Sequence, residues 1–224
     1  MIKHLVILAA ALSSADCLGM DISRVAGCAG DVLRLSGDIA DGDYVRFRAH
    51  FGAERRIVGI DLDSGGGSLY EGLRIAMLTH QRQVPTYVSN ECDSACAFIF
   101  LASRKRYVAP DAKVGVHSVG NTHGGEDNGT IRDTIRLARL SAKLGIPLST
   151  IGKMVATPPR KISYLNKEEL AALKVIARNP FARIAVHGST QPTKGGSLSC
   201  NAAISREEPK DDGMARDRSS AKGS

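Results

Sequence analysis

Between Ile57 and Ala102 the hydrophobic period of the chain switches repeatedly between that of a strand and that of a helix, and this alternation limits the architectures open to it. Ile57–Leu62 (IVGIDL) is a short apolar run of the length of a buried strand. Asp63-Ser64-Gly65-Gly66-Gly67-Ser68 interrupts it, and Leu69–His80 then places Leu69, Leu73, Ala76 and Met77 at helical spacing. Val84–Ser89 reads as a strand, and Ala95–Ala102 (ACAFIFLA) as a helix buried on all sides. The pattern extends both ways. Asp31–Ile39 predicts a strand and Asp43–Phe51 a helix. Arg106–Ala109 and Val114–His117 predict strands; Ile131–Leu144, Leu148–Val155 and Lys167–Leu173 predict helices. Strands alternating with helices imply a mostly parallel sheet covered by helices, because a parallel connection needs a crossover.

A chain of 224 residues with 43% apolar and 24% charged residues can bury one substantial core, which excludes a wholly disordered protein. No apolar run approaches the roughly 18 residues of a membrane span. The formal charge of +7 permits anionic partners, but the basic residues are scattered. Aromatics are only 4% and Trp is absent, so base-stacking platforms are not expected, nor is a nucleic-acid partner.

The first residues have the order of an export signal. Lys3 supplies a positive start, Leu5–Leu12 (LVILAAAL) an apolar stretch, and Ser13-Ser14-Ala15 the small residues of a cleavage site. The expected signal peptide spans 1–15, extending to about residue 19, and the expected location is periplasmic or secreted. A lipoprotein reading built on Cys17 is disfavoured by Asp16, and a buried N-terminal element is the other alternative. Export would place Cys17, Cys28, Cys92, Cys96 and Cys200 where disulfides form, although an odd number cannot all pair within one chain. Residues 191–224 mix charges with few large apolar groups and are expected to be a disordered tail.

Three segments carry candidate chemistry. The glycine run 65–67 follows a strand and opens a helix, where free N–H groups can face an anion or oxyanion. It lacks the Lys-Ser/Thr ending of a phosphate loop and the spacing of a dinucleotide fingerprint. Ser94 lies between a strand and the helix beginning at Ala95. There it serves as an N-cap, a role Asp93 can fill equally, or as a nucleophile. His117 ends a strand. It is a structural hydrogen-bonding residue or, at the carboxyl end of an α/β sheet, a general base.

Taken together, Ser64-Gly65-Gly66-Gly67-Ser68, Ser94 before an apolar helix, and Gly115-Val116-His117 resemble the ClpP/crotonase-like superfamily, in particular the proteolytic subunit of the Clp protease. Roughly Asp31 to Ala172 is covered, and the 23-residue separation of Ser94 and His117 is close to that family's spacing. Cys92-Asp93-Ser94-Ala95-Cys96 and Arg106-Tyr107-Val108-Ala109-Pro110 look like an exported bacterial branch of the same fold.

The resemblance implies an α/β spiral of strand–helix units over 28–176. Ser94 would be the nucleophile, His117 the base, and the amides of Gly67 and Ala95 the oxyanion hole. It implies a peptide or protein substrate, self-association into an oligomer and no cofactor. No ATPase partner is evident. The family's third acid is missing: Tyr164-Leu165 matches the aromatic-Leu pair that follows it, but Arg160, Lys161, Ile162 and Ser163 precede that pair. A Ser–His dyad, an acid supplied by Asp93, Asp127 or Asp133, a Ser–Lys pair with Lys161, or an inactive site are the alternatives. Cys92 and Cys96, four apart, are expected to form a disulfide that braces the nucleophile turn; zinc on these two with His117 lacks a clear fourth ligand. The expected function is an exported serine peptidase. The alternative is an inactive module that binds a peptide or partner protein. Acyl-CoA chemistry, as in crotonases, would not require Ser94 and His117 together.

Overall fold

A computed structural model describes residues 19–27 and 29–181. The leader at 1–15, Cys17, Cys28, Cys200 and the tail at 191–224 lie outside the described residues. The sheet opens with β1 (Asp21–Ala26), β2 (Asp31–Ser36), β3 (Ile57–Ser64) and β4 (Thr86–Asp93). It continues with β5 (Arg106–Val108), β6 (Lys113–Val116), β7 (Ser163–Tyr164) and β8 (Ile176–Ala177). The helices are α1 (Asp43–Ala49), α2 (Leu69–Arg82), α3 (Ala95–Ala102), α4 (Asn128–Lys143), α5 (Leu148–Ala156) and α6 (Lys167–Ala172). The strand order β1-β2-β3-β4-β5-β8 is parallel apart from the antiparallel β1 on its edge. The mixed α/β class and the mostly parallel sheet are as the sequence pattern predicts.

The central strand carries the geometry of the site, because the sheet forks on it. The first half of β4 pairs with β5, Thr86 to Arg106 through Val88 to Val108. Its second half pairs with β6, Glu91 to Lys113 through Asp93 to Gly115. The sequence pattern predicts an end at Ser89; the structure extends the strand to Asp93. Its second half reads weakly because Glu91 and Asp93 share one face with polar surroundings, while only Cys92 points to the apolar side. The other boundary shifts have local causes. β2 stops at Ser36 because Gly37 turns the chain at φ 86°, and Ile39 forms an isolated bridge with Gly67 instead. α4 begins earlier than Ile131 because Asp127 caps it in a reciprocal box with Thr130.

The core lies where α2 and α3 cover β3 and β4. Every residue of α3 is buried, which is why ACAFIFLA has no polar face. Gly72 on α2 permits the close approach: a Cβ there would come within 2.9 Å of the Ala95 Cβ and 3.2 Å of the Ala95 carbonyl. The buried C-terminus of α3 is satisfied by Arg106, whose guanidinium donates to the Leu101 carbonyl at 2.6 and 3.1 Å and to the Leu173 carbonyl at 2.9 Å. A cation at a helix C-terminus opposes the helix dipole and offsets its own burial.

On the opposite face, Asp93 is buried with its Oδ1 unpartnered among the described residues, beside Glu91, Lys113 and Tyr164. Gly115 makes room for it, since any Cβ at that position would overlap the carboxyl. Burial, then the neighbouring Glu91, pushes the Asp93 carboxyl up to about 7. Glu91 moves the other way because the Tyr164 hydroxyl donates to it at 2.6 Å. A carboxyl whose folded pKa is raised keeps its full stability contribution below its unfolded pKa of 3.8 and loses it as pH rises through the folded value. Asp93→Asn should therefore gain stability relative to the unmodified protein as pH rises from about 4 to about 7. Urea midpoints measured across that window check this; a difference that stays constant with pH contradicts it.

Candidate active site

Strand β3 ends at Ser64, and the next residues must cross from the sheet to α2. Gly66 and Gly67 do this at φ 104° and 129°, values that side-chain-bearing residues rarely adopt. Gly66 also permits a close approach to the neighbouring turn. A Cβ on it would stand 2.7 Å from the Ser94 Cβ and 2.8 Å from the Asp93 carbonyl oxygen. The loop is tied to Ile39, whose N–H donates to the Gly66 carbonyl at 2.7 Å and whose carbonyl accepts from Ser68 N–H at 2.8 Å. That ladder uses the amides of Ile39 and Ser68 and leaves out the Gly67 N–H, which belongs to an exposed residue. Ser68 then caps α2, accepting from the Glu71 amide at 3.5 Å.

Ser94 joins β4 to α3. It occupies the N-cap position but does not act as a cap: its side chain accepts no helix N–H, and its backbone sits at φ 55°, ψ −120°. An N-cap residue ordinarily has β-region backbone with its side chain folded onto the helix amides. A non-glycine residue in so sparsely populated a conformation costs on the order of 1–3 kcal/mol and persists only when its surroundings over-determine it. Here the Ser94 N–H donates to the Gly115 carbonyl at 2.9 Å and the Ser94 carbonyl accepts from Phe98 N–H at 3.2 Å. The sheet therefore holds one side of the turn and the helix the other. Cys92 and Cys96 are joined by a disulfide, with α-carbons 5.2 Å apart. Ala95, the first residue of α3, has an N–H with no acceptor inside the helix.

His117 is the first residue past β6 and is half-buried. Its Nδ1 lies 2.6 Å from the Ser118 carbonyl oxygen. A carbonyl only accepts, so Nδ1 carries the proton, and in the neutral ring Nε2 is left with its lone pair. Ser118 is itself held, its N–H donating to the Thr157 carbonyl at 2.8 Å and its hydroxyl to Glu126 at 2.8 Å. This backbone partner has no side-chain signature and is not legible in the sequence.

Gly67, Ser94, Ala95 and His117 line one cleft of about 180 Å³, whose apolar wall includes Phe98, Leu101, Leu137 and Met154. Ser94 and His117 are not hydrogen-bonded to each other among the described residues. The candidate acids lie elsewhere. Asp127 caps α4 through the amides of Gly129 and Thr130, which together with Asn121 hold its carboxyl below the usual range. Asp133 pairs with Arg136 at 2.9 Å, and Asp93 faces Gly115 and Glu91. Lys161 is exposed and is not among the residues that line the cleft. The zinc alternative falls because both thiols are consumed by the disulfide, and no group of three or more metal-ligating side chains occurs among the described residues.

No family model matches the sequence, and no curated protein matches it. Solved structures match its backbone. A serine-to-alanine mutant of the 1510-N membrane-bound stomatin-specific protease gives a TM-score of 0.51 at 18% identity, over 66% of this chain and 79% of the other. An asparagine-to-aspartate mutant of ClpP1 from Listeria monocytogenes gives a TM-score of 0.51 at 20% identity, over 66% of this chain and 92% of the other. Identities this low carry the fold and not residue roles. The protein is thus a mixed α/β chain with a mostly parallel sheet and a ClpP-like fold.

Proposed function

We propose that this chain is an exported serine hydrolase that cleaves peptides through an acyl-enzyme formed on Ser94. One observation carries the reading: Ser94 is held in a costly backbone conformation at the mouth of a helix it does not cap, in the cleft that His117 also lines. Strain of that kind is characteristic of functional turns.

The chemistry proceeds as follows. His117 Nε2 takes the hydroxyl proton as Ser94 Oγ attacks the scissile carbonyl. The oxyanion is received by the N–H groups of Gly67 and Ala95. Collapse expels the amine, which takes the proton back from His117, and water repeats the sequence to free the acid. The Ser118 carbonyl keeps the proton on Nδ1 and so fixes the useful tautomer. A neutral carbonyl stabilises the imidazolium less than a carboxylate does, so turnover is slow compared with a full triad. The apolar wall favours substrates that present an apolar side chain. Self-association is part of the same reading. Leu148 and Tyr70, 81% and 67% exposed, are large apolar side chains available to a second copy.

The second reading, a module that binds a peptide without cleaving it, is favoured by the missing carboxylate and the absent Ser94–His117 hydrogen bond. Labelling of the mature protein with a fluorophosphonate decides between the two. Covalent labelling is expected to vanish in Ser94→Ala and to slow roughly 10²–10⁴-fold in His117→Ala. No labelling of the folded, unmodified protein selects the binding module. Gly66→Ala should slow labelling at least about tenfold, because the added methyl displaces Ser94 and small displacements of a nucleophile are costly. Labelling at the unmodified rate would show that the Gly66–Ser94 contact is not needed. Export is tested by N-terminal sequencing: a mature chain starting near Asp16 in the periplasmic fraction is expected, and intact Met1 in the cytosol contradicts it.

A further inference from the structure

The bridge between Cys92 and Cys96 encloses Asp93, Ser94 and Ala95, and both sulfur-bearing residues are fully buried. Stability alone accounts poorly for this placement. A loop this short removes little freedom from the unfolded chain compared with a bridge between distant segments. Each anchor also lies inside a regular element. Cys92 pairs with Ser64 on one side and Val114 on the other, and Cys96 lies in a helix buried along its whole length.

The turn between the anchors is in a different position. A serine before a helix has a lower-energy alternative, in which its backbone returns to the extended region and its Oγ accepts from the second or third helix amide. In that state the hydroxyl is engaged with α3 and no longer free in the cleft. The same state lengthens the path from Cys92 to Cys96. Strand residues advance about 3.3 Å each, so an extended Ser94 that carries the strand direction into the helix draws the two α-carbons apart, toward the roughly 7 Å limit that a disulfide tolerates. The observed separation is 5.2 Å. The bridge therefore opposes the regular cap.

We propose that the Cys92–Cys96 disulfide is the positioning element of the site: it bars Ser94 from relaxing into an N-cap and so keeps its hydroxyl free to react. The inference rests on the reading of Ser94 as a nucleophile for its catalytic consequence, but its conformational content can be tested separately. The variant is Cys92→Ala/Cys96→Ala in the mature protein, held well below its melting temperature and checked for folding by circular dichroism. Two readouts are taken: the rate of fluorophosphonate labelling with kcat and KM on an activated ester, and the Ser94 backbone and Cβ chemical shifts.

The expected result is labelling and kcat reduced at least tenfold, KM unchanged, and Ser94 shifts moved to N-cap values. Unchanged Ser94 shifts overturn the proposal whatever the activity does, and so does equal labelling of the variant and of an unmodified protein that labels. If the unmodified protein does not label while the Ser94 shifts move in the variant, the positioning role stands and the hydrolase reading falls. Should the alanine pair fail to fold, Cys92→Val/Cys96→Ala restores buried volume in the strand. Failure of both pairs to fold overturns the proposal, because the bridge then holds the domain and not the turn.

Discussion

The turn at Ser94 depends on two fixed bodies meeting at a single residue. Strand β4 arrives already paired on both sides, with Cys92 between Ser64 and Val114. Helix α3 leaves fully buried against α2 and the sheet. A large shift of either exposes apolar surface or breaks ladder hydrogen bonds, and the Cys92–Cys96 bridge holds the two ends 5.2 Å apart across Ser94. The strain at Ser94 is the residue of that conflict. It points the side chain away from the helix amides that would otherwise claim it.

The fork in the sheet brings the other half of the site into place. Because β6 pairs only with the last residues of β4, its end lies beside the end of β4, and His117 emerges next to the turn that carries Ser94. The same junction produces Asp93, a buried carboxyl with an unpartnered oxygen, one residue before Ser94. Gly115 accommodates it and at the same time accepts the Ser94 N–H. The cleft thus has a glycine-lined entrance, with the buried Asp93 carboxyl beside it and outside its lining. His117 is oriented by a main-chain oxygen, an arrangement that sets the tautomer without supplying charge.

The three-segment pattern of glycine run, serine before an apolar helix, and histidine at a strand end was readable because each segment sits at an element boundary marked by composition. The second half of β4 was not readable, since its alternating polar residues resemble a loop until Gly115 and Tyr164 are placed beside them. The edge strand β1 was missed as well. Its residues, DISRVA, have little apolar character and are held by pairing with β2 and by the ion pair of Arg24 with Asp31. Arg160 to Ser163 contain no acid and lead into β7, while the partner of His117 is a carbonyl that every residue possesses.

What the sequence alone determined is the α/β class, the order of the elements and the identity of the residues at their junctions. Local period and glycine placement are properties of the chain, and they act over a few residues. Only the tertiary structure decided that Ser94 is refused as a cap, that β4 forks and that His117 leans on the Ser118 carbonyl. Asp127 and Asp133 are likewise assigned to a helix cap and an ion pair only there, and Asp93 to a buried place beside Glu91. Each of these outcomes is a competition between partners far apart in sequence, and its result depends on which groups burial brings within hydrogen-bonding distance.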